Sequence, residues 1–250
     1  MTTAIQVKNL NYSVPGKKIL YDINLDIRKG EIVSIMGQSG SGKTTLLKLL
    51  TGLNKPTSGQ IMIDETDIAK LSENDLDKVR LKMGLVFQYA ALLDSLNVYD
   101  NIVFGLARHS KGMKRSELDA VVKDRLEQVD LPGVEKLYPS ELSGGMQKRV
   151  GLARALAMKP SIVFYDEPTS GLDPITTNVI DELIMQTRKR LGITSVVVSH
   201  AIPSIFRISD RVAMLHNGEI VVYGSPEEVK ASANPIVQRF LNPEQHKEFD

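Results

Sequence analysis

The sequence contains no cysteine, and its positive and negative charges almost cancel. Without cysteine the chain holds no disulfide scaffold, thiolate zinc site or cysteine nucleophile, and it suits a reducing compartment. Lys and Arg number 31 and Asp and Glu number 30, so the net charge of +1 gives no strong field for bulk nucleic-acid binding, although local basic patches remain possible. We therefore expect a cytosolic protein without a nucleic-acid partner.

Long apolar runs are also missing. The most apolar segments, 161–165 and 193–198, are far shorter than the roughly 20 residues that cross a bilayer. Residues 1–14 lack the basic region and apolar stretch of a secretory signal. We therefore expect no membrane span, so that any membrane role depends on a partner.

Short apolar runs alternate with longer helical patterns along most of the chain. The first 30 residues alternate apolar and polar side chains, as half-buried strands do. Ser116 is a candidate N-cap for a helix that ends near Val129, and Asn217-Gly218 is typical of a type I′ hairpin. Later apolar runs are typical of buried parallel strands and lie at 32–36, 83–87, 161–165, 193–199 and 212–216.

The pattern predicts one α/β domain over residues 1–250. Residues 92–159 contain no convincing strand and are helical in pattern. We therefore divide the domain into a β-rich core lobe, 1–88 and 160–250, and a helical subdomain, 89–159.

The segment 37–44, GQSGSGKT, fits the pattern G-x-x-x-x-G-K-[ST] at every fixed position and follows a predicted strand. Its glycines let the backbone wrap around an anion, so that N–H groups and the next helix N-terminus point at phosphate oxygens. Lys43 would bring a positive charge to the β- and γ-phosphates, and the Thr44 hydroxyl suits Mg²⁺. The pattern predicts a nucleoside triphosphate site, and a plain glycine turn is the alternative.

Two carboxylates, Asp166 and Glu167, end the apolar run at 161–165. In P-loop enzymes a carboxylate at the end of a neighbouring strand serves the metal, a role that suits Asp166. Glu167 is then free to accept a proton from the attacking water. The alternative is a solvated strand end whose two acids have no chemical role.

A second candidate anion site is the segment 142–146, LSGGM, which precedes a basic helical pattern at 147–158. A serine and two glycines at a helix start leave N–H groups exposed, and the helix dipole favours an anion there. The same helix carries Lys148, Arg149 and Arg154. A plain capped turn is the alternative for this segment.

In this order along the chain, these motifs resemble an ABC-type nucleotide-binding subunit. The resemblance covers nearly the whole chain and includes the D-loop segment 170–173, with Gln88 and His200 each following a predicted strand. It implies a P-loop NTPase with a RecA-like parallel-sheet core, an N-terminal antiparallel β subdomain and an α-helical subdomain. It also implies that two copies close head to tail on two ATP molecules. Each P-loop, the segment 37–44, then faces residues 143–145 of the other copy.

The resemblance implies roles for individual residues. Gln88 would contact Mg²⁺ or the attacking water and sense the membrane partner, Asp173 would link the two ATP sites, and His200 would contact the γ-phosphate. The predicted catalytic residues are Glu167, His200 and Gln88, the predicted metal ligands are Thr44, Gln88 and Asp166, and the predicted ATP contacts are Gly37, Gln38, Ser39, Gly40, Ser41, Gly42, Lys43, Thr44, Thr45, Tyr12, Ser143, Gly144, Gly145 and Asp173.

Three positions depart from the family pattern. In the family the segment 142–146 is called the signature segment, and the helix that follows it is here called the signature helix. Met146 stands where the family usually has Gln, so a polar contact near the signature helix is absent. Ala201 stands where Asp is common. The usual position of the adenine-stacking aromatic is occupied by Val14. Because residues two apart share a face of a strand, Tyr12 is the expected substitute.

The segment 87–102, Met146, and the motifs YDEP at 165–168 and DPI at 173–175 resemble the ATPase of Mla/Mce-type lipid transporters. That resemblance implies a membrane permease and a lipid-binding-domain protein as partners, with the chain peripheral on the cytoplasmic side of the inner (cell) membrane. The apolar surface at 92–98 suits a groove for a permease helix, or else packs the helical subdomain.

Other functions remain open. The cargo of the transporter could be another substrate. A soluble ABC ATPase acting on DNA or ribosomes usually has long coiled-coil insertions or tandem cassettes, whereas this chain has one P-loop and no sustained heptad run. A regulatory module with little turnover is a third candidate, and Glu167 beside Asp166 argues against it. A single-turnover hydrolysis assay separates these functions.

Overall fold

The computed structural model describes residues 2–109 and 112–242. The strands are β1 (Thr3–Val14), β2 (Lys17–Arg28), β3 (Ile32–Met36), β4 (Ser58–Ile63), β5 (Thr66–Asp67), β6 (Met83–Val86), β7 (Ile162–Asp166), β8 (Thr194–Val198), β9 (Arg211–His216) and β10 (Glu219–Gly224). The α-helices are α1 (Lys43–Leu50), α2 (Glu73–Arg80), α3 (Val98–His109), α4 (Arg115–Gln128), α5 (Gly144–Leu156), α6 (Pro174–Leu191), α7 (Ile202–Ile208), α8 (Pro226–Lys230) and α9 (Pro235–Leu241).

The larger sheet has the strand order β10-β9-β3-β8-β7-β6. Strands β3, β6, β7, β8 and β9 are parallel, and β10 pairs antiparallel with β9. The turn between these last two strands has φ 47° at Asn217 and 82° at Gly218, as a type I′ hairpin requires. Because the parallel strands run the same way, their carboxyl ends meet at one edge of the sheet.

The smaller sheet is antiparallel, with the order β2-β1-β4-β5. The pairing of β1 with β2 shifts register at several points, including between Tyr12 and Ser13. Apolar side chains of this sheet pack with α1 and one face of the larger sheet, and this core includes Ile5, Leu20, Leu46, Phe164 and Val198.

Helices α3, α4 and α5 pack into a second core together with the opposite face of the larger sheet. Ile102, Leu126 and Val150 belong to the same buried cluster as Val163 and Tyr165 of β7. The described parts of 89–159 contain no strand. The predicted fold class is therefore confirmed, whereas the exact subdomain boundaries stay a prediction.

The start of α4 differs from the sequence prediction. The helix begins at Arg115, and Ser116 lies in its first turn. The cap is formed instead by the Lys114 backbone N–H, which donates to the Glu117 carboxylate at 2.6 Å. The carboxylate at N3 therefore replaces the predicted serine cap.

No helix within residues 2–109 and 112–242 is long and apolar enough to cross a membrane.

Candidate active site

A cavity of about 700 Å³ lies at the carboxyl edge of the parallel strands. Gln88 follows β6, Glu167 follows β7 and His200 follows β8, so three neighbouring strands each deliver one side chain to it. The other lining residues are Ile19, Gly37, Gln38, Ser39, Gly40, Gly42, Lys43, Thr44, Thr45, Ile202 and Phe240.

The loop between β3 and α1 has a backbone shape that excludes larger residues at two points. Gly37 has φ 152°, and a Cβ there would lie 2.1 Å from the Leu215 carbonyl oxygen. Gly42 has φ 107°, and its Cβ would lie 2.8 Å from Leu20 Cδ2. Gly42 is also the N-cap of α1 and gives it no side-chain cap. The first N–H groups of α1 therefore stay available to an anion.

The Lys43 side chain bonds back to the start of the loop that precedes it. Its Nζ donates to the carbonyl oxygens of Gly37 at 2.8 Å and Gln38 at 2.9 Å. Lys43 is 8% exposed, and burial lowers its pKa while the negative charges of Glu167 and Asp166 oppose that shift. The loop thus carries a nearly buried ammonium group beside its open N–H groups.

The two acids that end β7 differ in their surroundings. Asp166 does not line the cavity, and its Oδ1 is buried without a hydrogen-bond partner. Burial raises the pKa of Asp166, and the charge of Glu167 raises it further, while Lys48, Lys43 and Lys148 oppose the shift. The cations around Asp166 therefore offset part of the cost of a buried carboxylate.

Glu167 is held in a left-handed backbone conformation, with φ 47°. Such a conformation costs a non-glycine residue on the order of 1–3 kcal/mol and often marks a functional site. Its Oε2 accepts a hydrogen bond from the His200 backbone N–H at 3.3 Å and lies 2.9 Å from His200 Nδ1. The side chain is 12% exposed and reaches the cavity beside the imidazole.

Gln88 is fixed by a contact with the D-loop segment. Its Nε2 donates to Ser170 Oγ at 3.4 Å. The Gln88 carbonyl oxygen accepts a hydrogen bond from Lys148 Nζ of α5. Gln88 therefore contacts both the D-loop and the signature helix.

The segment 143–145 and Asp173 do not line this cavity. Ser143 is the N-cap of α5 and accepts from the Met146 N–H at 3.3 Å. Asp173 is the N-cap of α6, with Oδ1 accepting from Ile175 N–H at 2.9 Å and Thr176 N–H at 3.0 Å. The side-chain hydrogen bond from Thr176 is the largest cause that lowers the pKa of Asp173. Both predicted sites are thus capped helix starts, away from the chain's own P-loop cavity.

Two other predicted ATP contacts lie outside the cavity lining. Ser41 has a buried Oγ without a hydrogen-bond partner, and its N–H donates to the Gln38 carbonyl oxygen at 3.2 Å. The Tyr12 side chain packs on the core beneath the smaller sheet, and its hydroxyl accepts from Asn54 Nδ2 at 3.2 Å. The register shift beside Tyr12 breaks the regular alternation on which its predicted adenine contact depended. The cavity lining therefore gives that contact no support.

Three apolar lining residues were not predicted. Ile19 lies on β2, Ile202 begins α7, and Phe240 lies near the end of α9. The alternation of apolar and polar residues along β2 identifies which face of the strand is buried. It does not show that Ile19 lies beside the P-loop. For Phe240, nothing in the sequence signals that the last described helix reaches a loop some 200 residues earlier.

Comparisons with known proteins agree with this arrangement. The model of the ABC transporter family matches residues 20–170. The protein named "Intermembrane phospholipid transport system ATP-binding protein MlaF" of Escherichia coli K12 is 40% identical over 95% of this chain and 88% of its own. The protein named "Probable ribonucleotide transport ATP-binding protein mkl" of Mycobacterium leprae is 42% identical over 97% of this chain and 70% of its own.

Solved structures show the same fold. The structure of cbiO1 from Clostridium perfringens has a TM-score of 0.86 and 32% identity, covering 98% of this chain and 96% of its own. A dimeric post-hydrolysis structure of the ATP-binding cassette MJ0796 with ADP and Pi has a TM-score of 0.81 and 35% identity, covering 89% of this chain and 98% of its own. The predicted resemblance to ABC cassettes and to the ATPases of lipid transporters is confirmed, and the chain belongs to the ABC transporter family as an ATP-hydrolysing subunit.

Proposed function

We propose that this subunit binds Mg-ATP in the P-loop cavity and hydrolyses it in a dimer with a second copy of itself, powering lipid transport between membranes. The observation that carries the proposal is the cavity itself, which joins the P-loop to Gln88, Glu167 and His200. The MlaF relatives support a phospholipid cargo. Other relatives are named for ribonucleotide transport or methionine import, so another cargo is the alternative.

Phosphate binding is assigned to the loop at 37–45. Open N–H groups at the start of α1 and the helix dipole favour the triphosphate. Lys43 Nζ is held over the loop by the carbonyl oxygens of Gly37 and Gln38, so its charge is already in place when ATP arrives. Such preorganisation favours binding because little reorganisation is needed.

The residues near the cavity also fit Mg²⁺. The unpartnered Asp166 Oδ1, the Thr44 hydroxyl and the Gln88 amide are the oxygen donors that Mg²⁺ prefers. Within the described parts of the chain no three His, Cys, Asp or Glu residues cluster as a metal site. A site with one carboxylate suits Mg²⁺, which usually binds one or two carboxylates together with substrate phosphates. Held by these residues, Mg²⁺ would neutralise negative charge on the phosphates of ATP.

The hydrolytic step is assigned to the side chains that follow β6, β7 and β8. Glu167 accepts a proton from the attacking water, and its carboxylate is aimed by two contacts with His200. The His200 side chain is 63% exposed, so it remains accessible to the γ-phosphate. Gln88, which follows β6, orients the attacking water and would offer its amide oxygen to Mg²⁺.

The proposed dimer is supported by the position of the second candidate anion site outside the cavity. Residues 143–145 do not line their own cavity, and a Cβ at Gly144 would meet nothing within 4 Å, so this helix start is open to a partner. An ATP molecule on the P-loop is therefore completed by a second subunit in a symmetric pair. The dimeric MJ0796 cassettes support this assembly.

The membrane partner is assigned to the surface after β6. Tyr89 is 83% exposed and Leu93 is 39% exposed, whereas Leu92 packs on the core of the helical segment and Val98 is buried. The exposed pair offers an apolar contact for a permease helix, with a lipid-binding-domain protein in the same complex. The subunit then acts as a peripheral protein on the cytoplasmic side of the cell membrane.

Dimerisation is tested by Ser143→Arg in a Glu167→Gln background, with sedimentation in the presence of Mg-ATP. We expect the ATP-dependent dimer to disappear, because a bulky side chain replaces the surface that meets the partner's phosphates. The ATP affinity of the monomer should stay within about threefold of that without Ser143→Arg, since Ser143 does not line the P-loop cavity of its own chain. Equal dimerisation with and without Ser143→Arg would overturn the two-copy site.

The matched control is Ser72→Arg. Ser72 caps α2 and accepts from the Asp75 N–H at 3.3 Å, the same distance as at Ser143. Ser72→Arg should therefore lose a comparable cap without losing the dimer.

The cargo is tested separately, by transfer of a fluorescent phospholipid between vesicles after reconstitution with the permease and the lipid-binding-domain protein. ATP-dependent transfer that stops with Glu167→Gln supports lipid transport, and its absence refutes that cargo.

A further inference from the structure

The basic side chains of helix α5 bind backbone carbonyl groups inside the protein. Arg149 donates to the carbonyl oxygens of Val129 and Asp130, at 3.4 and 3.1 Å. Lys148 also donates to two carbonyl oxygens, and one of them is that of Glu167, the residue after β7. These cations therefore hold neighbouring segments against the signature helix.

Lys148 has the most consequential contacts of this group. Its Nζ donates to the carbonyl oxygen of Gln88 and, at 3.4 Å, to that of Glu167. The residue is 7% exposed, so both hydrogen bonds are nearly shielded from water. A charge-assisted hydrogen bond in such surroundings is stronger than a neutral one. One ammonium group thus joins the residues after β6 and β7.

The contact with Glu167 supports a strained backbone. The Glu167 N–H donates to the Val198 carbonyl oxygen at 2.8 Å, and its carbonyl oxygen accepts from Ser170 N–H at 3.2 Å as well as from Lys148. Hydrogen bonds therefore hold both the N–H and the carbonyl group of Glu167 in a conformation with φ 47°. This conformation turns the carboxylate towards His200. Loosening the carbonyl would let the carboxylate move relative to the cavity.

Lys148 and the signature segment lie on the same helix. Ser143 caps α5, and Lys148 follows roughly 7 Å along the axis at 1.5 Å per residue. Backbone hydrogen bonds of the helix connect the two positions, so we expect a displacement of its N-terminus to be transmitted to Lys148. The surface that meets the partner's ATP is thereby joined to the catalytic groups of its own cavity.

We propose that Lys148 is a positioning residue for ATP hydrolysis, tying Gln88 and Glu167 to the signature helix through their backbone carbonyl groups. The inference rests on the proposed role of Glu167 as proton acceptor. Lys148 does not line the ATP cavity. Its role is therefore to position Gln88 and Glu167, and not to bind the nucleotide.

The test replaces Lys148 by Met, which keeps the length of the side chain and removes the ammonium group. We expect kcat to fall about 10- to 100-fold, because a displacement near 1 Å of a catalytic group has that cost. The KM for ATP should stay within about threefold, since the P-loop is untouched. Lys148→Arg, which keeps the positive charge and has N–H donors for both carbonyl oxygens, should keep kcat within about threefold of the unaltered protein.

Arg149→Met is the matched control. It removes the adjacent cation of the same helix, and that cation also binds two backbone carbonyl oxygens, but at residues 129 and 130. We expect kcat to stay within about twofold. An equal loss of kcat in Arg149→Met and Lys148→Met would assign both effects to helix stability and overturn the inference.

Two further results would also overturn it: kcat unchanged in folded Lys148→Met, or a rise in KM that matches the fall in kcat. If circular dichroism shows that Lys148→Met does not fold, Lys148→Gln takes its place under the same criteria. Glu167→Gln separates this inference from the proposed function. Full turnover in Glu167→Gln refutes the proton-acceptor role itself, whereas loss there with none in Lys148→Met refutes only the role of Lys148.

Discussion

Replacing Glu167 by Gln removes one proton acceptor and keeps its contacts. The glutamate Oε2 accepts from the His200 N–H at 3.3 Å, and the carbonyl oxygen of a glutamine can accept the same bond. The side chain is 12% exposed, so a substitution of equal shape leaves the surrounding packing intact. General base catalysis contributes typically about 10²–10⁴-fold, equivalent to roughly 3–5 kcal/mol of barrier. We therefore expect kcat to fall by that factor.

The melting temperature of Glu167→Gln shows whether a loss of activity comes from catalysis or from unfolding. Glu167 raises the pKa of its neighbour Asp166 by charge repulsion, so removing that charge relieves a like-charge contact at a half-buried site. The same substitution removes the attraction by which Glu167 opposes the lowered pKa of Lys43, so the lost repulsion and the lost attraction oppose each other. The melting temperature should accordingly stay nearly equal, and ATP affinity should stay within about twofold. Steady-state phosphate release, a thermal melt and fluorescent nucleotide binding measure the three quantities.

The control is Glu182→Gln, whose carboxylate lies 3.3 Å from Arg207 on an exposed part of α6. It should hydrolyse ATP at the unaltered rate. Turnover of Glu167→Gln within about threefold of the unaltered protein would refute the assignment of Glu167 as base. His200, 2.9 Å away, would then be the next candidate.

Two further predictions concern the P-loop. Lys43→Ala should weaken Mg-ATP binding by at least about tenfold in equilibrium nucleotide titration, because a charge-assisted contact contributes about 1.5–3 kcal/mol; near-normal affinity would argue against the P-loop site. Gly37→Ala should lower the melting temperature and abolish ATP binding, since its Cβ would lie 2.1 Å from a backbone oxygen. Gly40→Ala, at φ 78° with nothing within 4 Å, should cost only about 1–3 kcal/mol of strain, so equal effects of the two alanines would contradict the steric explanation.

The convergence of strand ends was predictable from the sequence, because it depends on local patterns. The apolar runs identify β3, β6, β7 and β8 to within one or two residues, and buried runs of this kind indicate parallel strands. Polar side chains placed just after such strands must meet at one sheet edge. Gln88, Glu167 and His200 reach a common cavity for that reason.

The walls of the cavity were not predictable, because they depend on register and long-range packing. The position of Tyr12 was inferred from strict alternation along β1, and the pairing with β2 shifts on both sides of that residue. Each shift moves side chains relative to the face that alternation assigns to them. Phe240 reaches the P-loop through contacts between distant segments, and no local pattern encodes such contacts.

The two helix starts outside the cavity form one continuous surface. A Cβ at Gly145 would lie 2.6 Å from Thr176 Cγ2, and Thr176 Oγ1 donates to Asp173 Oδ2 at 2.5 Å. The signature segment therefore packs against the first turn of α6. Ser170, just before this cap, accepts the hydrogen bond from Gln88. Two sets of contacts thus connect the surface proposed to meet a second copy with the chain's own cavity, one through Gln88 and one through Lys148. Because Gln88 and Glu167 line the same cavity, we expect each copy to hydrolyse its ATP only when its own surface at 143–145 is engaged.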